Sequence, residues 1–161
     1  MNYFKWILGG IAMMISTIVA YKLSEKYRVR RKFYEDFYLF NKRVVDEMSF
    51  TRNSLLTILT SFDTQSQFGA VLNAFRTALS ERTNFSCENL WFLKEDEKRS
   101  AEEYFSSLGK TDAQTQMRYL KHCDDLLKTS AEKALAEKNK YVPMYIKLGL
   151  LAGVAVFILI L

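Results

Sequence analysis

The chain has 161 residues and a formal net charge of +5, about one domain's length, yet both ends are apolar runs that a soluble core of this size would not contain. The folded domain therefore lies in the middle. Residues 22–140 hold no proline and only two glycines, Gly69 and Gly109, which excludes a hairpin-rich β protein.

No residue from Trp6 to Tyr21 is charged. With Tyr3, Phe4 and a snorkelling Lys5 the run reaches about 19 residues, roughly 28 Å of helix, close to a hydrocarbon core of roughly 30 Å. The small residues of "STIVAY" also suit a signal peptide. However, "YKLSEKYRVRRK" follows, placing Lys22, Lys26, Arg28, Arg30, Arg31 and Lys32 where a secreted chain would have to cross, so an uncleaved anchor is expected. Over residues 22–32 six basic residues stand against Glu25 alone, concentrating the positive charge beside the first span. Such a cluster sets topology and attracts anionic lipid headgroups. No basic-aromatic module accompanies it, so nucleic acid is not an expected partner.

Apolar residues of the middle recur at three and four, the period of an all-α fold. An antiparallel bundle of about five or six helices is expected over 22–140, flanked by transmembrane helices over 1–21 and 141–161. The first bundle helix continues from Tyr21 to about Met48, with Phe33, Phe37, Phe40, Val44 and Met48 on one packing stripe. A short helix follows near Asn53 to Phe62, carrying Leu55, Leu56, Ile58 and Leu59. Asp63, Thr64 and Ser66 offer caps for the next helix, whose core stripe is Phe68, Val71, Leu72, Phe75 and Leu79. In "NFSCENLWF", Ser86 or Asn84 can cap a helix that turns Leu90, Trp91 and Leu93 inward. The mixed-sign run Lys94 to Glu103 continues it as a solvated face, and Tyr104, Phe105 and Leu108 return it to the core.

"SLGKTDAQTQ" reads as a corner. A helix ending at Leu108 needs a positive φ next, which Gly109 adopts freely. Thr111 with Gln114 has capping-box spacing, and Asp112 is a cap in the neighbouring register. The following seam of Leu120, Cys123, Leu127, Ser130 and Ala134 admits close helix approach, and Pro143 is expected to kink the chain at membrane entry.

The terminal run "YVPMYIKLGLLAGVAVFILIL" contains one charge, Lys147. Only Leu148 to Leu161 follow, about 21 Å of helix, so this span is shallow or relies on snorkelling. Gly149 and Gly153, four apart, offer a close-packing helix face, with Gly9 and Gly10 as intramolecular mates. Basic residues flank both spans on the side of the middle segment, which the positive-inside rule places in the cytoplasm. Cys87 and Cys123 then stay reduced and unpaired.

Catalysis is not expected. His122, Cys123, Asp124 and Asp125 are consecutive on a helix and point about 100° apart, and no zinc-type spacing occurs. There is no phosphate-binding Gly loop and no Gly-x-Ser-x-Gly elbow.

The pattern Leu108-Gly109, Thr111-Asp112 and Gln116, the terminal "KLGLLAGVAVFILIL", and "DEMSFTRNSLLTIL" at Asp46 to Leu59 resemble the stage III sporulation protein AB family. The family commonly has proline before the leucine of the last patch, where this chain has Ser54 before Leu55, and the first bundle helix is unusually rich in Phe and Tyr. The resemblance implies a membrane protein of endospore formers, made in the mother cell and placed in the membrane facing the forespore. It implies one part of a secretion-like channel complex, with a cytoplasmic domain like the platform protein of type II secretion and type IV pilus machines. The implied partners are other membrane subunits and a hexameric secretion-type ATPase, stage III sporulation protein AA, for which Leu108, Gly109, Thr111, Asp112 and Gln116 are a candidate docking patch. No cofactor is implied. The competing expectation is an autonomous tether that binds anionic lipid or DNA through its basic segment.

Overall fold

The computed structural model describes residues 2–50, 55–62, 64–87 and 90–160. Six helices follow in order: α1 (Asn2–Leu23), α2 (Glu25–Phe50), α3 (Leu55–Ser61), α4 (Gln67–Glu81), α5 (Glu95–Ser107) and α6 (Ala113–Ile160), with no strand among the described residues. Ser54 and Asp63, and the side chains of Lys5, Leu55 and Leu56, lie outside the described residues. The chain divides into two compact units, Met1–Arg28 with Leu135–Leu161, and Val29–Ala134.

In the first unit α1 pairs with the C-terminal part of α6. Ser16 Oγ donates to the Gly149 carbonyl at 2.7 Å, Trp6 meets Phe157 edge-on at 5.5 Å, and Tyr27 stacks on Tyr141 at 4.8 Å. The pairing runs antiparallel, since residues early in α1 meet residues late in α6. Both helices are long and apolar enough to cross a membrane, and their outward residues, including Ile7, Ile11, Leu151 and Ile158, are exposed. α6 passes through Pro143 without ending.

A continuous helix from Tyr21 is expected, but the chain breaks at Ser24. That side chain bonds the Tyr21 carbonyl at 2.8 Å, a local alternative to the helical ladder. Arg28 then donates to the same carbonyl at 2.9 Å and to Ser24 Oγ at 3.1 Å, and lies 3.7 Å from the Tyr21 ring centroid. These contacts satisfy a helix end that would otherwise leave carbonyls orphaned.

The second unit is organised by rings. Phe33, Phe37, Phe40 and Val44 of α2 are buried as their spacing predicts. Phe68 of α4 meets Phe33, Phe37, Phe40, Phe62 and Phe105 at centroid distances of 5.1 to 6.1 Å, each such pair contributing about 0.5–1.5 kcal/mol beyond burial. Ser66 caps α4, its Oγ accepting from the Phe68 N–H at 3.2 Å. α5 lies alongside α2 in the same direction, Arg30 pairing with Glu97 and Phe37 with Tyr104.

Three local expectations differ from the structure. Leu79 is 41% exposed and Ala78 faces the core instead, so the α4 stripe turns by one residue at its end. Trp91 is 58% exposed, whereas Phe92 is buried. This follows because 90–94 is not helical: the Leu90 N–H donates to the Cys87 carbonyl and the Leu93 N–H to the Leu90 carbonyl, and both leucines are buried. Ser86 and Asn84 therefore start no helix, and α5 begins at Glu95. Glu97 accepts from the Lys94 N–H at 2.9 Å, while Glu102 accepts from the Cys87 N–H at 2.6 Å and from Ser86 Oγ at 3.3 Å.

Candidate functional site

The corner between α5 and α6 is built as its residue types predict, with one change of role. Gly109 has φ 76°, and Leu108 before it is buried. Asp112, not Thr111, caps α6: its Oδ2 accepts from the Thr115 N–H at 3.0 Å. That bond holds the Asp112 carboxyl below its ordinary range. Gln116 is 4% exposed, and its Oε1 accepts from the Gly109 N–H at 3.1 Å and from Thr111 Oγ1 at 3.3 Å. One buried amide thus ties the turn to the first turn of α6, and the geometry accounts for all five residues as parts of one corner. Gly109, Thr111 and Asp112 are its exposed members.

The basic cluster does not act as one surface. Lys22 and Lys26 are exposed, Lys22 lying 3.3 Å from Glu25. Arg28 closes the α1 end. Arg30, its side chain 12% exposed, pairs with Glu97 across α5. Arg31 pairs with Glu35 at 2.7 Å and Lys32 with Asp36 at 2.8 Å, and Asp36, 3% exposed, also accepts from Thr64 Oγ1 at 2.9 Å.

Gly149 and Gly153 are buried against α1. A Cβ on Gly149 would overlap that of Ala20 and lie 3.1 Å from the Ser16 carbonyl; one on Gly153 would lie 3.0 Å from Met13 Cα. Gly9 faces Phe157, whereas Gly10 has nothing within 4 Å. The mate of the "GLLAG" face is therefore α1 itself.

Periodicity did not reveal the buried polar network of the second unit. Asn41, with 0% exposure, accepts from Tyr104 Oη at 3.0 Å and donates to the Leu120 carbonyl at 3.1 Å and to Asp124 Oδ1 at 3.2 Å. It joins α2, α5 and α6 through one side chain. Burial raises the Tyr104 hydroxyl well above its ordinary pKa, so it remains a donor.

Among the described residues no three of His, Cys, Asp or Glu are placed to hold a metal ion. Cys87 and Cys123 are free and buried. Burial, then the Glu102 charge, pushes the Cys87 thiol up to about 12, and burial raises that of Cys123, the opposite of nucleophile activation. A groove of about 550 Å³ runs along α2, α5 and α6 past Tyr34, Glu97, His122 and Leu126, with His122 on its exposed lip.

No curated protein and no solved structure gives a significant match to this chain. The family described as stage III sporulation protein AB matches residues 5–161, covering both apolar helices, the corner and the aromatic unit. The chain is a member of the stage III sporulation protein AB family, and with it belongs to the proteins of sporulation stage III.

Proposed function

We propose that this chain is a non-catalytic platform subunit of a secretion-like channel complex between mother cell and forespore. It sits in the forespore-facing membrane of the mother cell, with its aromatic unit in the cytoplasm docking a secretion-type ATPase, stage III sporulation protein AA. The observation that carries the reading is the closed hairpin of α1 and α6. Its small residues and the Ser16–Gly149 bond are spent on each other, while its large apolar residues face outward to meet lipid or other membrane subunits. A unit tied to such a hairpin is suited to hold a partner at a membrane. Burial raises both thiols above their ordinary range, which does not favour them as nucleophiles. The autonomous-tether reading is the weaker one, because Arg28, Arg30, Arg31 and Lys32 are engaged within the chain. Lys22 and Lys26 suffice for a modest attraction to anionic lipid.

The test is binding of the detergent-solubilised full chain to the purified ATPase across a salt series. Docking through a packed surface gives a complex that persists at high salt. Binding only to anionic vesicles or DNA, lost steeply with salt, supports the tether instead, and ATP turnover by the chain alone refutes a platform without catalysis.

A further inference from the structure

Folding sorts the mixed-sign run Lys94 to Glu103. Its basic residues, Lys94, Lys98 and Arg99, stay off the groove between α5 and α6, whereas Asp96, Glu97 and Glu103 line it. Glu97 is held by Arg30 of α2. Asp96 and Glu103 have no basic partner among the described residues, and with Ser100 between them they form one wall, about 10 Å apart along the helix. The other wall is α6, with His122, Leu126, Thr129 and Lys133 at helical spacing over about 16 Å. Leu126 is 56% exposed, above a floor where Tyr34 and Leu127 are buried.

Shape and charge together decide the occupant. A trough about three helical turns long, with an exposed leucine on one wall and unpaired carboxylates on the other, suits an amphipathic helix laid into it with its apolar side chains downward. Charge selects the sign of that helix. Since Arg30 is engaged by Glu97, Lys133, at the end away from the corner, is the one cation left on the lining among the described residues, and the stretch between Asp96 and Glu103 is acidic. We infer that this groove docks a basic amphipathic helix of a partner protein: an aliphatic side chain rests on Leu126, and two basic side chains seven residues apart meet Asp96 and Glu103. Such rim charges set partner choice and association rate more than raw affinity. The groove is then the receiving surface of the platform, and the inference rests on that reading.

His122 is the chain's one histidine and stands on the exposed lip of the groove, so ¹⁵N-histidine labelling of the full chain in detergent reads this site alone. The probe is an acetylated, amidated, alanine-rich helix with leucine midway between two lysines seven residues apart; the control peptide carries glutamates in place of the lysines. The expected result is a saturable shift of the His122 resonances by the lysine peptide only, weakened by added salt. Asp96→Asn with Glu103→Gln should weaken binding about tenfold at an unchanged melting temperature, and Asp96→Lys with Glu103→Lys should transfer the preference to the glutamate peptide. Leu126→Gln, at an exposed position, should weaken binding of the lysine peptide without lowering the melting temperature. The proposal is overturned if the lysine peptide leaves His122 unmoved up to its solubility limit, if the glutamate peptide moves it equally, if the Asp96→Asn, Glu103→Gln variant binds as the parent does, or if anionic vesicles shift His122 and the peptide does not. A chain that binds the ATPase under any of those outcomes keeps the platform and loses the groove.

Discussion

Replacing Gly149 by valine tests the hairpin at its tightest point. The new Cβ would overlap the Ala20 methyl and press on the Ser16 carbonyl; one is a side chain with no rotamer to change, the other is backbone. Restoring an ordinary carbon contact of about 3.5–4.0 Å moves the helices apart by about an ångström. That stretches the Ser16 Oγ to Gly149 bond from 2.7 Å towards the limit of hydrogen bonding. Overpacking costs about 1–3 kcal/mol, and an interhelical bond in membrane about 0.6 kcal/mol on average. The total of about 2–4 kcal/mol lowers the paired fraction's equilibrium constant by roughly 30- to 1,000-fold. Trp6 reports it, because its ring lies edge-on to Phe157; in a Trp91→Phe background its emission follows denaturation in detergent. Gly10→Val is the control, having nothing within 4 Å. Equal denaturation midpoints for the two variants would refute the close approach at Gly149.

Asn41→Ala strands the buried Tyr104 hydroxyl and removes the link to Asp124, a loss of about 2–4 kcal/mol. Combining it with Tyr104→Phe should cost about 1–2 kcal/mol less than the sum, and strict additivity would show that the hydroxyl is not held by Asn41. Asp112 has a lowered folded pKa from an ordinary 3.8, so its cap contributes fully above about pH 4 and is lost as pH falls below that; Asp112→Asn, still a cap, should flatten this acid dependence of the melting temperature. Lys22→Gln with Lys26→Gln should weaken binding to anionic vesicles without changing the melting temperature, whereas Arg30→Gln should lower the melting temperature and leave vesicle binding alone; the reverse pattern would mean that Arg30 belongs to the lipid surface. With the Cys87 thiol at about 12 instead of 9.0, its thiolate fraction at pH 8 falls roughly 1,000-fold, so the native cysteines should resist maleimide on either side of the membrane; a reporter at exposed Ser106, as Ser106→Cys, should label only after permeabilisation, and labelling in intact cells would reverse the orientation.

What could be read along the chain was whatever depends on neighbours three or four residues away. The α2 stripe, the Ser66 cap and the positive φ of Gly109 are all decided locally, by Cβ sterics or by a side chain reaching its own backbone. The misplacement of Trp91 has a local cause too, but a subtler one. A helix from Ser86 and a non-helical approach to α5 carry similar composition, and the bonds that Cys87 and Ser86 make to Glu102, fifteen and sixteen residues on, lie beyond what local spacing records. Asn41 was illegible for a different reason. On α2 it is one polar residue beside a Phe stripe, and its partners stand 63, 79 and 83 residues away. Gln116 is marked along the chain only as part of the family pattern; its burial and its bonds to Gly109 and Thr111 arise only once the corner has folded.

The glycine pair of "GLLAG" shows why a close-packing motif cannot be assigned to a partner from its spacing. Small residues admit any helix backbone, and whichever helix arrives first consumes the face. Here α1 belongs to the same chain and lies antiparallel with Gly9, Met13, Ser16 and Ala20 in step with α6, so the local concentration of the internal mate is far above that of another subunit. Any membrane neighbour therefore meets a surface of large side chains, such as Ile7, Ile11, Leu151 and Ile158. Gly10 is the one glycine of the hairpin with open space before it. Under the proposed platform function, association with other subunits would draw on shape and lipid displacement over a broad apolar face and leave the hairpin intact.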